Sequence, residues 1–173
     1  MVNILLTLGP FLLVFVMAII LIGSPLKIKT KSLLALLSLL FALIFIIFLL
    51  IFPKDVPIIY NFSNQQNFLF YLLVIGPKFT VWIQCIVLII SIVIYFRFHQ
   101  TLHQIQSKEL FIGFYLIFTG SIMGLILSEN MLVISSFFIL ASISLEFLFY
   151  FDPIEKKISK LSIILIVIFS TFL

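Results

Sequence analysis

Charge is what this sequence has least of. Of 173 residues only 9% are charged, ten of them basic and six acidic. A soluble domain carries roughly 25% charge, which keeps its surface hydrated. Polar loops are also scarce, because 64% of the residues are hydrophobic. A water-soluble globule of this length cannot hide that much apolar side chain. These absences exclude a soluble enzyme, a disordered chain and a nucleic-acid-binding domain. The single cysteine, Cys85, excludes an intramolecular disulfide framework. Regular alternation of apolar and polar residues is missing too, which argues against a transmembrane barrel.

What is present is a series of long apolar runs. They predict an all-α, polytopic transmembrane bundle forming a single domain over residues 1–173. Six spans are expected, at about 4–22, 33–52, 79–96, 110–127, 131–151 and 158–173. About 20 helical residues cover roughly 30 Å of hydrocarbon, so each run but the last is long enough. Phe68–Ile75 is too short to span and is broken by Gly76-Pro77-Lys78, so it is expected to lie at the interface. The fourth and fifth spans are separated only by Ser128-Glu129-Asn130, which predicts a tight helical hairpin. Met1–Ser24 lacks a basic leader and a small-residue cleavage site, so it reads as a retained span and not as a signal peptide.

The basic residues are expected almost entirely in loops. Lys27, Lys29 and Lys31, then Arg97 and Lys108, then Lys156, Lys157 and Lys160 fall on one side; Lys54 and Lys78 fall on the other. The positive-inside rule then places the N-terminus outside and the basic loops in the cytoplasm or matrix. Twenty-two phenylalanines and few glycines point to an AT-biased, organellar genome.

Few residues carry chemistry. Glu146 reads as the one ionisable group inside a span. An intramembrane carboxylate is a functional-site candidate, here for proton transfer. The plainer reading is that it reaches the basic side and pairs with Lys156, Lys157 or Lys160, and that reading is favoured. Gly120 and Gly124 form a G-x-x-x-G notch where another helix can approach closely. Ser135, Ser136, Ala141, Ser142 and Ser144 give the fifth span small residues, so it is expected to face protein. His99 and His103 are four apart but lack a third ligand, so a solvated pair is favoured over a metal site. No phosphate loop, dinucleotide fingerprint or zinc motif occurs.

The run Glu109–Phe151 resembles the fourth and fifth helices of the antiporter-like membrane subunits of respiratory complex I. In that family a glycine-bearing helix ends in Ser-x-Asn-x-Leu and the next helix follows at once; here those positions are Ser128, Asn130 and Leu132. The opening Leu8-Gly9-Pro10, the basic loop after it, and Lys160-Leu161 near the start of the sixth span are similar to the NADH dehydrogenase subunit 2 type. The resemblance implies a non-catalytic membrane-arm subunit of a proton-pumping NADH:ubiquinone oxidoreductase. It further implies no cofactor in this chain, and as partners the other membrane-arm subunits and the lipid bilayer. Multi-pass placement in the mitochondrial inner membrane follows, with the N-terminus toward the intermembrane space; a bacterial inner membrane is the alternative.

Two departures stand out. The family's buried glutamate, about ten residues beyond the hairpin asparagine, would fall at Leu140, between Ile139 and Ala141. Glu146 is six residues further on, so the role does not transfer. The family has about fourteen helices, whereas the sequence supplies six expected spans. The expectation is therefore the N-terminal part of a split subunit, with a second chain carrying the rest and with Glu146 and Lys160 as its proton-path candidates. Subunit-6-like and subunit-4L-like readings rank below it. The third span lacks the glycine of the former type, and the intramembrane glutamates of the latter are missing. A stand-alone transporter or a structural or assembly protein are the rivals from other classes.

Overall fold

The computed structural model describes residues 2–51, 58–61, 71–74, 78–101, 107–128 and 131–151. Five helices carry the architecture: α1 (Val2–Gly23), α2 (Ile28–Ile51), α3 (Lys78–Thr101), α4 (Lys108–Leu127) and α5 (Met131–Phe151). The expected sixth span, 158–173, lies outside the described residues. Four of the helices, α2 to α5, are long and apolar enough to cross a membrane, and α1 adds a shorter apolar run, Leu8–Gly23. Their outward faces carry Ile19, Phe41, Ile44, Val93 and Ile139, all exposed. Such a continuous apolar exterior is untenable in water and ordinary in lipid. The chain is thus a helical membrane protein.

The helices outrun the hydropathy on which the spans were drawn. α2 begins five residues before Leu33, and α3 continues past Phe96 to Thr101. Backbone hydrogen bonding does not stop at the first charge, and lysine and arginine are good helix formers. Lys29, Lys31, Lys78, Arg97 and Lys108 are therefore helical, which corrects their expected placement in loops. The fifth span, by contrast, coincides with α5.

Between α2 and α3 lies a small antiparallel ribbon, β1 (Ile58–Asn61) and β2 (Tyr71–Val74), with Ile58 opposite Val74 and Asn61 opposite Tyr71. Part of the expected interfacial segment thus pairs as a strand, and this strand touches α1. Branched and aromatic residues suit a pleated backbone. A paired strand also satisfies backbone groups that a short unpaired segment would leave exposed to apolar surroundings.

α4 is the centre of the bundle. Of its span 61% is buried, against 28% for α2, 22% for α3 and 17% for α5. It packs against α1, α2, α3 and α5. The other helices bury single stripes: Val14, Ala18 and Leu21 on α1, and Ala35, Leu39, Ala42 and Ile46 on α2. Steps of three and four residues keep each stripe on one face. On α5 the stripe is Val133, Ala141, Ser144 and Leu148, whereas Ser136 and Ile143 point outward. The small residues of α5 therefore do not all face protein, which corrects that expectation.

Candidate functional site

The polar groups of the bundle gather at one end. α1 ends there, α2 begins there, α3 ends there and α4 begins there. Ser24 Oγ donates to the Leu21 carbonyl at 3.4 Å and closes α1, and Pro25 follows where a helix cannot continue. The Lys31 amide then donates to the Lys27 carbonyl at 3.0 Å as α2 starts. Lys27 and Lys29 are exposed, but Lys31 is only 1% exposed and is the largest fully buried side chain among the described residues.

Glu109 is the partner of Lys31. It stands in the first turn of α4, where a carboxylate is favoured by the helix dipole. Lys31 Nζ donates to Glu109 Oε2 at 2.8 Å, with the two side chains 1% and 52% exposed. The ammonium has three donors, and Glu109 is its one acceptor among the described residues. The turn before Glu109 is tight. Ser107 caps α4 at φ 57°, a left-handed conformation uncommon for a residue with a Cβ, and its carbonyl accepts from the Leu110 and Phe111 amides.

Tyrosines continue the polar cluster inward. The Tyr95 hydroxyl lies 3.0 Å from the Ser32 carbonyl oxygen and 2.9 Å from Ser32 Oγ, which joins α3 to α2. The Tyr115 hydroxyl donates to the Ser91 carbonyl and joins α4 to α3. The two rings sit 5.7 Å apart, with Phe98 edge-on to Phe111 at 5.1 Å and to Tyr115 at 6.1 Å. Each tyrosine buries an apolar ring while its hydroxyl finds an acceptor. Chemically, this end holds a buried cation against a half-exposed carboxylate, an ion pair that ties α2 to α4. The hydroxyls beyond it terminate on backbone carbonyls and act as clamps.

Deeper in the bundle the hydroxyls serve their own helices. Thr119, Ser121 and Ser144 donate to the carbonyls four residues back, at 3.1, 2.7 and 2.7 Å. These bonds satisfy polar groups where no water reaches. Gln84 is different: its Nε2 is buried without a hydrogen-bond partner among the described residues. Such a group is costly, and it marks the least satisfied position in α3.

The residues singled out from sequence fall in separate places. Gly120 and Gly124 face different helices: a Cβ on Gly120 would lie 3.2 Å from the Phe15 ring of α1, and one on Gly124 would lie 2.7 Å from the Phe137 ring of α5. Ser128 caps α4, its Oγ donating to the Gly124 carbonyl at 2.6 Å. Leu132 lies in the first turn of α5; Asn130 and Lys160 lie outside the described residues. Glu146 is half-buried on α5, with no ion pair to any described residue. His99 is in α3, and His103 lies outside the described residues. Among the described residues no group of three or more His, Cys, Asp or Glu could hold a metal ion.

Sequence reasoning missed Lys31, Glu109 and Gly113. Lys31 stands in a row of three lysines that has the sequence signature of a loop, yet it is buried in α2, so Glu146 is not the sole in-span ionisable group. A Cβ on Gly113 would run into the Ile22 side chain of α1. A signal for Gly113 was present, since Gly113, Gly120 and Gly124 lie at steps of seven and four along one helix.

The fold and its polar end define a class, a multi-helix membrane protein pinned at one end by an ion pair and two tyrosine hydroxyls. Beyond the class, no protein-family model, no curated protein and no solved structure matches this chain.

Proposed function

We propose that the chain is a membrane-arm subunit of a proton-pumping NADH:ubiquinone oxidoreductase, equivalent to the N-terminal helices of a subunit-2-like, antiporter-type subunit. The observation that carries this reading is the tight α4–α5 hairpin. A glycine-bearing helix ends at Leu127, Ser128 caps it, and α5 starts at Met131, at the positions of the Ser-x-Asn-x-Leu pattern. The antiparallel succession of helices and the shared basic end of α2, α3 and α4 are in keeping with it. The N-terminus is then on the intermembrane-space side, with the basic end toward the matrix.

Within that assembly the chain acts chiefly as a packing element. Its hydroxyls bond to backbone, and Glu146 stands at the edge of the bundle, so no continuous polar path crosses the described helices. The Lys31–Glu109 pair is the charged element that holds α2 and α4 together within it. Partners are the other membrane-arm subunits, including a chain that carries the remainder of the antiporter-like fold.

The test is affinity purification of the tagged chain from its native membranes, with mass spectrometry of what accompanies it. Complex I subunits in stoichiometric amount are the expected result. A chain that purifies alone, or with an unrelated transporter, overturns the reading. In the recovered complex, Glu146→Gln is expected to leave the proton-pumping stoichiometry unchanged.

A further inference from the structure

α3 and α5 both pack on α4, and a cleft of about 430 Å³ lies between them. Val87, Ile90 and Ile94 form one wall, Phe118 and Ile122 the floor, and Leu145 begins the other wall. Ser91 and Tyr115 are the polar residues in its lining, and the Tyr115 hydroxyl is committed to the Ser91 carbonyl. The remaining lining is aliphatic and aromatic, so it suits an apolar occupant. The volume falls within the roughly 300–1,000 Å³ usual for small-ligand sites.

Length and charge narrow the occupant. The lining runs from Val87 to Phe98 on α3 and from Phe111 to Ile122 on α4. Each stretch rises about 16 Å. One leaflet of a bilayer is about 15 Å of hydrocarbon, half of the core. The cleft is thus about one acyl chain deep and stops near the midplane. Its other end meets the basic end of the bundle. Arg97 lies one turn beyond Ile94 on α3, and Lys108 one turn before Phe111 on α4. Residues three apart share a helix face, so both cations extend the two faces that line the cleft. Arg97 is exposed and Lys108 half-buried, and neither has an ion-pair partner among the described residues. The carboxylate next to Lys108, Glu109, is taken by Lys31.

We propose that this cleft binds one acyl chain of an anionic phospholipid whose phosphate is held by Arg97 and Lys108. An apolar slot one leaflet deep, with two cations at headgroup level, fits an amphiphile with a single acidic head. Zwitterionic lipid fills the slot as well but gains less from the cations. This inference is independent of the membership in complex I proposed above.

Native mass spectrometry of the protein, as purified with whatever chains accompany it, tests the proposal. Phosphatidylglycerol and phosphatidylcholine are titrated as separate probes. One phosphatidylglycerol is expected per chain, bound roughly 25-fold more tightly than phosphatidylcholine, about fivefold for each cation. Arg97→Gln with Lys108→Gln abolishes that preference, whereas Lys29→Gln, an exposed lysine at the same end, leaves it intact. Ile90→Trp, which fills the slot, removes the retained lipid of either kind. Both charge substitutions lie at accessible positions, and circular dichroism verifies that the helices persist. Equal binding of the two lipids overturns the proposal, and so does an equal loss of preference with Lys29→Gln. A photocrosslinker at Ile94 that captures a polypeptide in native membranes also overturns it.

Discussion

α4 and α5 are neighbours of 20 and 21 residues, joined by a short link, and both are long and apolar enough to cross a membrane. Yet 61% of one span is buried and 17% of the other. Hydropathy does not separate them; shape does. α4 presents Gly113, Gly120 and Gly124 to Ile22, Phe15 and Phe137, so helices close on it from two sides. α5 supplies one of those bulky groups, Phe137, and buries only a stripe around Ala141, Ser144 and Leu148. Where water is absent, association depends on close packing and not on burial of apolar area, so the helix with the notches becomes the centre. The two glutamates follow the same division. Glu109 on α4 is held by a buried lysine, and Glu146 on α5 has no described ion-pair partner.

This contrast can be broken by substitution, with thermal unfolding in detergent as the measurement. The largest effect is expected at Glu109. Glu109→Ala strands the Lys31 ammonium in a buried position and should cost about 2–3 kcal/mol. That is below the loss for a wholly buried pair, because Glu109 is half exposed. Lys31→Met should cost much less, since the carboxylate left behind has water within reach. Equal losses from the two variants would show that Lys31 is not the buried partner.

Next comes Gly113→Ala, where the added methyl meets Ile22 and should cost about 1–3 kcal/mol by overpacking. Ile22→Ala in the same chain should recover part of that loss. Simple additivity of the two changes would mean that α1 and α4 do not meet there. Tyr95→Phe removes one clamp between α3 and α2 and should cost about 1 kcal/mol. The smallest effect belongs to the outer face of α5. Ile139→Ala should stay within about 0.5 kcal/mol, because that side chain meets lipid or detergent in the folded protein. A loss above 2 kcal/mol at Ile139 would place a protein neighbour on a face the structure leaves open.

Much of the helical layout could be read from the sequence because its signal is one-dimensional. An apolar run of about 20 residues is a span whatever packs against it, and α5 was read to the residue. Helix ends near charges were read less well. Lys29, Lys31 and Arg97 end the apolar runs but not the helices, since hydropathy and backbone hydrogen bonding are separate properties. The ribbon is not legible in the same way: β1 and β2 hold pairing partners ten to sixteen residues apart along the chain, and apolar periodicity within one segment does not reveal which segment pairs with it.

The site was less legible than the fold. Glu146 is conspicuous because it sits inside an apolar run, and Lys31 is not because two other lysines stand beside it. The sequence by itself determined that this chain lives in a bilayer and that it crosses as helices. Scarcity of charge is enough for that, because an unpaired charge or an open backbone group is so costly in hydrocarbon. Only the tertiary structure decided which helix is central and which of the lysines is buried. Both depend on which side chains 78 residues apart, such as Lys31 and Glu109, come within hydrogen-bond distance, and composition carries no record of that.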